Sequence, residues 1–130
     1  MPTDFSVVDP VTIDQERFPD SGYRHRRLTE ALGCTEMRVN TVTLDPGEAT
    51  TPHAHERQEE VYIALDGGSV EINREIYDVA RGGVVRIGPE PSRSVRNDTD
   101  DAAQTWVMIG APPLGTVDDY GEYTVPDDAA

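Results

Sequence analysis

The sequence predicts an all-β fold, either a sandwich or a barrel. From about Arg38 to Gly110 it consists of short runs of β-type residues separated by turn residues. No helical periodicity persists in this region beyond two turns. A chain of 130 residues buries enough surface for one compact domain and has no mass for a second core. We therefore expect a single all-β domain of regularly spaced short strands.

Three regions follow along the chain. Residues 1–37 are predicted to form an extended arm with one short helix at about residues 28–32, which Gly33 ends. Residues 38–112 carry the barrel strands MRVNTVTL, EVYIAL, SVEIN, VVRI, SRSVRN and QTWVMIG. Asp66-Gly67-Gly68 predicts a hairpin, because glycine adopts the positive φ of a tight turn at no steric cost. Further turns are predicted at residues 73–75, 81–83 and 97–98. Residues 113–130 are predicted to be an acidic surface tail.

The charge of the chain restricts its partners. It has 25 acidic residues against 11 basic ones, all arginine, and a formal net charge of -14. Such a surface repels phosphate backbones and anionic membranes, so we expect neither a nucleic-acid nor a membrane partner. The N-terminus lacks the pattern of a signal peptide, and we expect a cytoplasmic protein. Cys34, the single cysteine, cannot form an intramolecular disulfide, and we interpret it as a buried structural thiol.

The candidate metal-binding residues lie between Gly47 and Gly67. His53 and His55 are two residues apart, so on an extended strand both imidazoles project from one face. After a short turn, Glu60 begins the next strand. If the two strands pair around that turn, Glu60 reaches a metal held by the two histidines. Two histidines and one carboxylate with open positions suit divalent iron, manganese or zinc.

This stretch resembles the first conserved motif of the cupin family. The pattern Gly47-x5-His53-x-His55-x4-Glu60-x6-Gly67 reproduces that motif at every position. The second motif, G-x5-P-x-G-x2-H-x3-N, is matched in register by Gly82 and Asn97, with Arg93 in place of its histidine. The resemblance covers about residues 38–112. It implies a double-stranded β-helix, or jelly-roll barrel, often dimeric, with His53, His55 and Glu60 as ligands of one divalent metal such as iron, manganese, nickel or zinc.

Arg93 changes the charge of the expected site. A divalent cation with Glu60 and Arg93 leaves the pocket near +2, and an arginine about 6 Å from the metal is repelled by roughly 5 kcal/mol at an effective dielectric of 20. The metal-bound form therefore requires an anionic ligand, which Arg93 clamps through two parallel hydrogen bonds. Without metal, Glu60 and Arg93 can pair instead. A third alternative places the Arg93 side chain at the barrel mouth, in water.

Other residues have two interpretations each. Tyr62 shares a face with Glu60, so it either donates a hydrogen bond in the cavity or fills the barrel. Trp106 and Met108 either line the cavity or belong to the core. His25 lies in a basic cluster, where it either reaches the pocket or forms a salt-bridged edge segment, and we favour the edge segment. Asn97 is expected to fix backbone geometry.

The predicted function is that of a metal-binding cupin, with Arg93 as the residue that binds a small anion. If the protein is an enzyme, the resemblance implies an oxygenase or an isomerase or lyase acting on a small organic acid or sugar derivative. Its catalytic residues are not indicated by the sequence. The alternative is a non-catalytic ligand-binding or sensing domain with a Glu60–Arg93 pair and no metal. A homodimer is expected from the resemblance and from the arm, which can add a strand to a neighbouring sheet.

The composition also predicts a salt-dependent stability. Acidic residues occur along the whole chain and lysine is absent, a composition typical of halophilic proteins. Salt at about 1 M shortens the Debye length to about 3 Å and screens the self-repulsion of such a chain. We expect the melting temperature to be higher in molar KCl than in dilute buffer, by about 4 °C for each kcal/mol of repulsion removed. A melting temperature that is the same in both buffers would contradict this expectation.

Overall fold

The computed structural model describes residues 4–17 and 22–113 of the chain. Within these ranges, short strands dominate, accompanied by one single-turn helix and one 3-10 turn. None of the helices in these ranges has the length and apolar character needed to cross a membrane. The elements are the 3-10 turn Pro10–Thr12, β1 Glu16–Arg17, β2 Arg24–Arg27, α1 Thr29–Leu32, β3 Arg38–Leu44, β4 Glu59–Ala64, β5 Gly68–Ile72, β6 Glu75–Val79, β7 Gly83–Ile87, β8 Arg93–Arg96 and β9 Gln104–Ala111.

The strands form two antiparallel sheets. One has six strands in the order β1-β2-β3-β9-β4-β7, and the other has three in the order β6-β5-β8. Val42, Tyr62 and Trp106 of the larger sheet pack in one core cluster with Val70 and Val95 of the smaller sheet. The core therefore lies between the sheets, and the predicted all-β class is confirmed.

The inner face of the larger sheet changes character along its length. Val42 on β3 pairs with Trp106 on β9, which pairs with Ala64 on β4. Directly opposed residues of antiparallel strands share a face, so these three form one apolar row. Two rows further along the strands, the same registers align Arg38, Gly110 and Glu60. We call the row of Val42, Trp106 and Ala64 the apolar end of the barrel, and the row of Arg38, Gly110 and Glu60 its polar end.

Two of the local predictions need correction. Asp66-Gly67-Gly68 does not form a hairpin, because β4 pairs with β7 and β9 while β5 pairs with β6 and β8. The turn instead carries the chain from one sheet to the other. The prediction also missed β6, whose residues are exposed or half-buried on both faces and so lack the alternating pattern that reveals a strand. The turn at residues 73–75 is present, with positive φ at Asn73 and Arg74 joining β5 to β6.

The N-terminal region is integrated into the larger sheet. β2 pairs with β3 along its whole length, and β1 pairs with β2. The imidazole Nε2 of His25 lies 3.2 Å from Glu16 on β1, which fits the salt-bridged segment that we favoured for it. The short helix ends at Gly33 in a left-handed conformation, as predicted, and Cys34 beside it is half-buried rather than buried. The predicted acidic tail lies outside the described residues after position 113.

Gly110 permits a close contact at the polar end. A β-carbon at this position would lie 2.7 Å from Cδ of Gln58, closer than such atoms approach one another. The Gln58 side chain is fully buried there and donates a hydrogen bond of 3.1 Å from Nε2 to the carbonyl of Pro112. Glycine is therefore required beside Glu60 so that Gln58 can lie against β9.

Gly110→Ala is expected to lower the free energy of unfolding by about 1–3 kcal/mol, because the new methyl group overpacks the interior against Gln58. Denaturant unfolding measures this change. Gly88→Ala is the matched control, since the nearest atom to its β-carbon lies 3.8 Å away. In a Gln58→Ala background the Gly110→Ala cost should largely disappear, and a cost that persisted unchanged would show that the Gln58 contact is not its cause.

Candidate metal centre

Glu60 is the second residue of β4, and its register fixes where its carboxylate points. It shares a face with Tyr62 and Ala64, which belong to the core, so the side chain enters the barrel. Gly110 lies opposite Glu60 on β9, and Ile87 lies opposite it on β7. The carboxylate is therefore held on a central strand of the larger sheet, with only 11% of its side chain exposed.

His53 and His55 reach the site from the other sheet. His53 forms a β-bridge with Arg93 of β8, in which the backbone N–H of each residue bonds the carbonyl of the other. The backbone N–H of His55 donates to the carbonyl of Pro89 at 2.8 Å. The sequence argument paired the histidine segment with β4, and this pairing is wrong. The three side chains meet because the histidine segment pairs with the start of β8, across the barrel from Glu60.

The ligand atoms of His53, His55 and Glu60 all lie within 4.8 Å of one another. Nε2 of His55 is 3.2 Å from Oε1 of Glu60, and Nε2 of His53 is 3.8 Å from the same oxygen. Two neighbouring ligands of a metal with bonds of about 2.1 Å stand about 3.0–3.4 Å apart. The His55–Glu60 pair already has this spacing. The His53–Glu60 pair would have to close by about half an ångström, and the His53–His55 pair by no more than about 2 Å. The donor set fits a small divalent metal.

The orientation of His53 is set by its backbone surroundings. Its Nδ1 lies 2.9 Å from the carbonyl oxygen of Thr51, which accepts a hydrogen bond when Nδ1 carries the proton. In that tautomer Nε2 keeps the lone pair that a metal would bind, whereas a hydrogen bond from Nε2 to Glu60 requires a proton on Nε2 as well. The rings of His53 and His55 meet edge to face, with centroids 5.0 Å apart. No sequence pattern indicated the contact with Thr51, since every residue has a backbone carbonyl whatever its type.

Two further donors converge on Oε1 of Glu60. The Tyr62 hydroxyl donates to it at 2.7 Å, and Nη1 of Arg93 donates to it at 2.8 Å. The other terminal nitrogen of Arg93 donates to the carbonyl of Gly88. The Arg93 side chain is completely buried, which excludes the alternative that placed it in water at the barrel mouth. Its Nε is buried without a hydrogen-bond partner among the described residues.

These contacts alter the acid–base properties of the site. Burial alone would raise the pKa of Glu60, but hydrogen bonds and charge from His53 and His55 outweigh it and hold the pKa below its usual range. The adjacent guanidinium of Arg93 favours the ionised carboxylate as well. Burial, reinforced by the Glu60 charge, raises the pKa of Tyr62 well above its usual range. Glu60 is therefore ionised and Tyr62 is a neutral hydrogen-bond donor.

The remaining predicted pocket residues lie beside this cluster. Met108 pairs with Tyr62 in the row next to Glu60, and it is half-buried against the core. Trp106 is completely buried one row further away, at the apolar end, and its ring meets that of Tyr62 edge to face at 6.4 Å. Trp106 is thus a core residue that supports Tyr62, and Met108 lies nearer the site. The amide of Asn97 donates to the carbonyls of Leu44 and Ala102, which fits the expectation that Asn97 fixes backbone geometry.

The sequence matches the cupin domain family over residues 40–110. No curated protein has a matching sequence. Solved structures share the fold. A sugar phosphate isomerase of the cupin superfamily from Silicibacter pomeroyi is 21% identical, with a TM-score of 0.72 over 82% of this chain and 75% of its own. A predicted oxalate decarboxylase from Thermotoga maritima is also 21% identical, with a TM-score of 0.72 over 82% of this chain and 99% of its own.

A cupin-2 domain from Rhodospirillum rubrum is 17% identical, and its similarity extends over 99% of this chain and 84% of its own, with a TM-score of 0.72. At these identities the comparisons establish the fold alone, and they confirm the predicted jelly-roll barrel. The family match covers more than half of the chain, from within β3 to within β9. The chain therefore belongs to the cupin family.

Proposed function

We propose that this protein binds one divalent transition metal through His53, His55 and Glu60 and uses the centre to bind a small organic anion. The observation that carries the proposal is the convergence of three ligand atoms within 4.8 Å from two different sheets. His53 is bridged to Arg93 of β8 in the smaller sheet, whereas Glu60 lies on β4 of the larger sheet, so the convergence depends on the way the two sheets face each other. Iron, manganese, nickel and zinc all accept this donor set.

Arg93 provides the case for an anion. Its guanidinium is fully buried, and its Nε carries a hydrogen-bond donor with no partner among the described residues. A buried donor without a partner costs free energy, which a carboxylate or phosphate oxygen would recover. Two of the solved relatives have names that refer to anionic substrates, a sugar phosphate and oxalate, which also supports a small anion as the ligand.

The chain's own residues would prepare the site for chemistry on such an anion. Tyr62 and Arg93 fix Oε1 of Glu60, Thr51 orients His53, and the buried position of Glu60 limits access of water. A bound divalent metal would act there as a Lewis acid or as a holder of substrate and dioxygen. Both an oxygenase and an isomerase or lyase remain consistent with this arrangement. A homodimer and a cytoplasmic location stay predictions.

A non-catalytic binding or sensing domain is the second candidate, and one contact favours it. Nη1 of Arg93 lies 2.8 Å from Glu60, so the carboxylate already has a counter-charge. The pair is almost completely buried, and a metal at this carboxylate would have to share it with Arg93. In this alternative, the ion pair replaces the metal, and ligand binding occurs without turnover.

Elemental analysis of protein purified without a nickel column or chelator tests the first proposal. We expect close to one transition-metal ion per chain, lost in His53→Gln because one of the three ligands is removed. Arg93→His, which restores the family's usual fourth ligand, should bind metal at least as tightly, and Arg86→His on the exposed outer surface is its control. Metal in Arg93→His alone would support the metal-free alternative.

Unfolding in the presence of chelator tests the buried ion pair. Glu60→Gln should lower the free energy of unfolding by about 3–5 kcal/mol, because the buried Arg93 then loses its counter-charge. Glu59→Gln is the matched control, since Glu59 is exposed and pairs with exposed Arg86, a contact worth about 1 kcal/mol or less. The double variant Glu60→Gln/Arg93→Met should recover most of the loss. If Glu60→Gln lowered the free energy of unfolding no more than Glu59→Gln does, the result would contradict a stabilising ion pair between Glu60 and Arg93.

A further inference from the structure

Met108 faces the interior of the barrel without being fully covered there. It has the same parity along β9 as Trp106, which belongs to the core, so its side chain points between the two sheets. The strand β9 lies between β3 and β4 in the larger sheet. Met108 is nevertheless only half-buried. Because neighbouring strands cover both edges of β9, the exposed part of Met108 faces the space between the sheets.

Two further inward-facing apolar side chains are half-buried around the same space. Ile72 on β5 is paired with Arg93 on β8, and Val85 on β7 is paired with Tyr62 on β4. Both pack against the core cluster without being enclosed by it. The metal-ligand cluster borders this space as well, since 20% of the His53 side chain is exposed. The side chains that form the apolar wall of the site are Ile72, Val85 and Met108.

The polar residues on the inner face of β3 lie beyond this wall. In one row, Met108 stands between Asn40 and the strand β4. In the next row, the Gln58 side chain lies over Gly110, between β3 and Glu60, and it is 1% exposed. On the sides formed by β7 and β9, a ligand bound at the metal centre would therefore meet hydrocarbon before it met another accessible polar side chain.

We infer that the preferred ligand is a small acid with a hydrocarbon body, whose acid group binds beside Arg93 and whose body packs on the apolar wall. The inference rests on the proposed function, because it assumes that an anion binds beside Arg93. Transfer of hydrocarbon from water to an apolar surface is favourable, whereas a hydroxyl group buried there without a partner loses its hydrogen bonds to water. The wall thereby selects aliphatic acids over hydroxylated acids such as sugar acids.

Titration calorimetry at constant ionic strength tests the inference on the protein as purified. The probes are acetate, propionate, butyrate and valerate, together with 4-hydroxybutyrate, in which a hydroxyl replaces the terminal methyl group of valerate. We expect the affinity to rise about fourfold for each methylene group that the wall covers, because each one removed from water contributes a similar free energy. Valerate should bind about tenfold more tightly than 4-hydroxybutyrate, since the hydroxyl group finds no hydrogen-bond partner on the wall.

Two substitutions and one control assign the effect to the wall. Met108→Gln makes this side chain polar at similar length, so it should flatten the rise with chain length and leave acetate binding unchanged. Val85→Thr should likewise reduce the preference for valerate. Val84→Thr makes the same change on the outer face, where Val84 is 64% exposed, and should alter no affinity. A valerate preference that survives both wall substitutions would overturn the inference. If neither variant folds, the unmodified protein decides, because equal binding of valerate and 4-hydroxybutyrate overturns it too.

The result also distinguishes this inference from the function on which it rests. Acids that bind with the same affinity whatever their chain length, and that lose affinity in Arg93→Gln, would retain the anion site and remove the role of the wall. A rise with chain length at an acid site that Arg93→Gln does not weaken would place the hydrocarbon contact elsewhere and overturn the inference. Failure of every acid to bind would overturn both the anion site and the inference.

Discussion

The ionised carboxylate of Glu60 inside the barrel is the group on which the rest of the site depends. A buried charge is stable only when it is paired and hydrogen-bonded. Tyr62 and Arg93 donate to one of its oxygens, and His55 lies 3.2 Å from that same oxygen. Each of these partners is itself held by the fold. Trp106 supports Tyr62, the Gly88 carbonyl accepts from Arg93, and the Pro89 carbonyl accepts from the backbone of His55.

The barrel can hold this charged cluster because its two ends differ. Trp106, Leu44, Ala64 and Val95 are completely inaccessible at the apolar end, and burial of their side chains drives the two sheets together. That packing supplies the free energy which offsets the cost of burying arginine, glutamate and histidine at the polar end. The two ends are continuous through the strand registers of β3, β9 and β4, so the position of Trp106 in its row also fixes Glu60 two rows away.

The sequence predicted that His53, His55 and Glu60 come together, but it did not predict how the fold brings them together. The spacing of His53, His55 and Glu60 was informative because each residue type has the chemistry of a metal ligand. The pairing of the histidine segment with β8 was missed, since strand pairing depends on contacts between residues about forty positions apart. β6 was missed because it buries neither face. The direction of the Arg93 side chain could not be predicted from the sequence either, because a long arginine can reach either water or a buried partner.

The geometry of Arg93 explains how one site can be compatible with both proposed states. Its guanidinium and any metal on Glu60 would compete for the electron density of one carboxylate, and two like charges repel at this distance. An anion that binds both the guanidinium and the metal would be attracted to each of them and would offset their mutual repulsion. Ligand binding and metal retention would then be coupled, because the ligand stabilises the metal-bound form more than the ion-paired one. With the proposed divalent metal bound beside ionised Glu60 and Arg93, the pocket would carry excess positive charge, and the proposed anion would offset it.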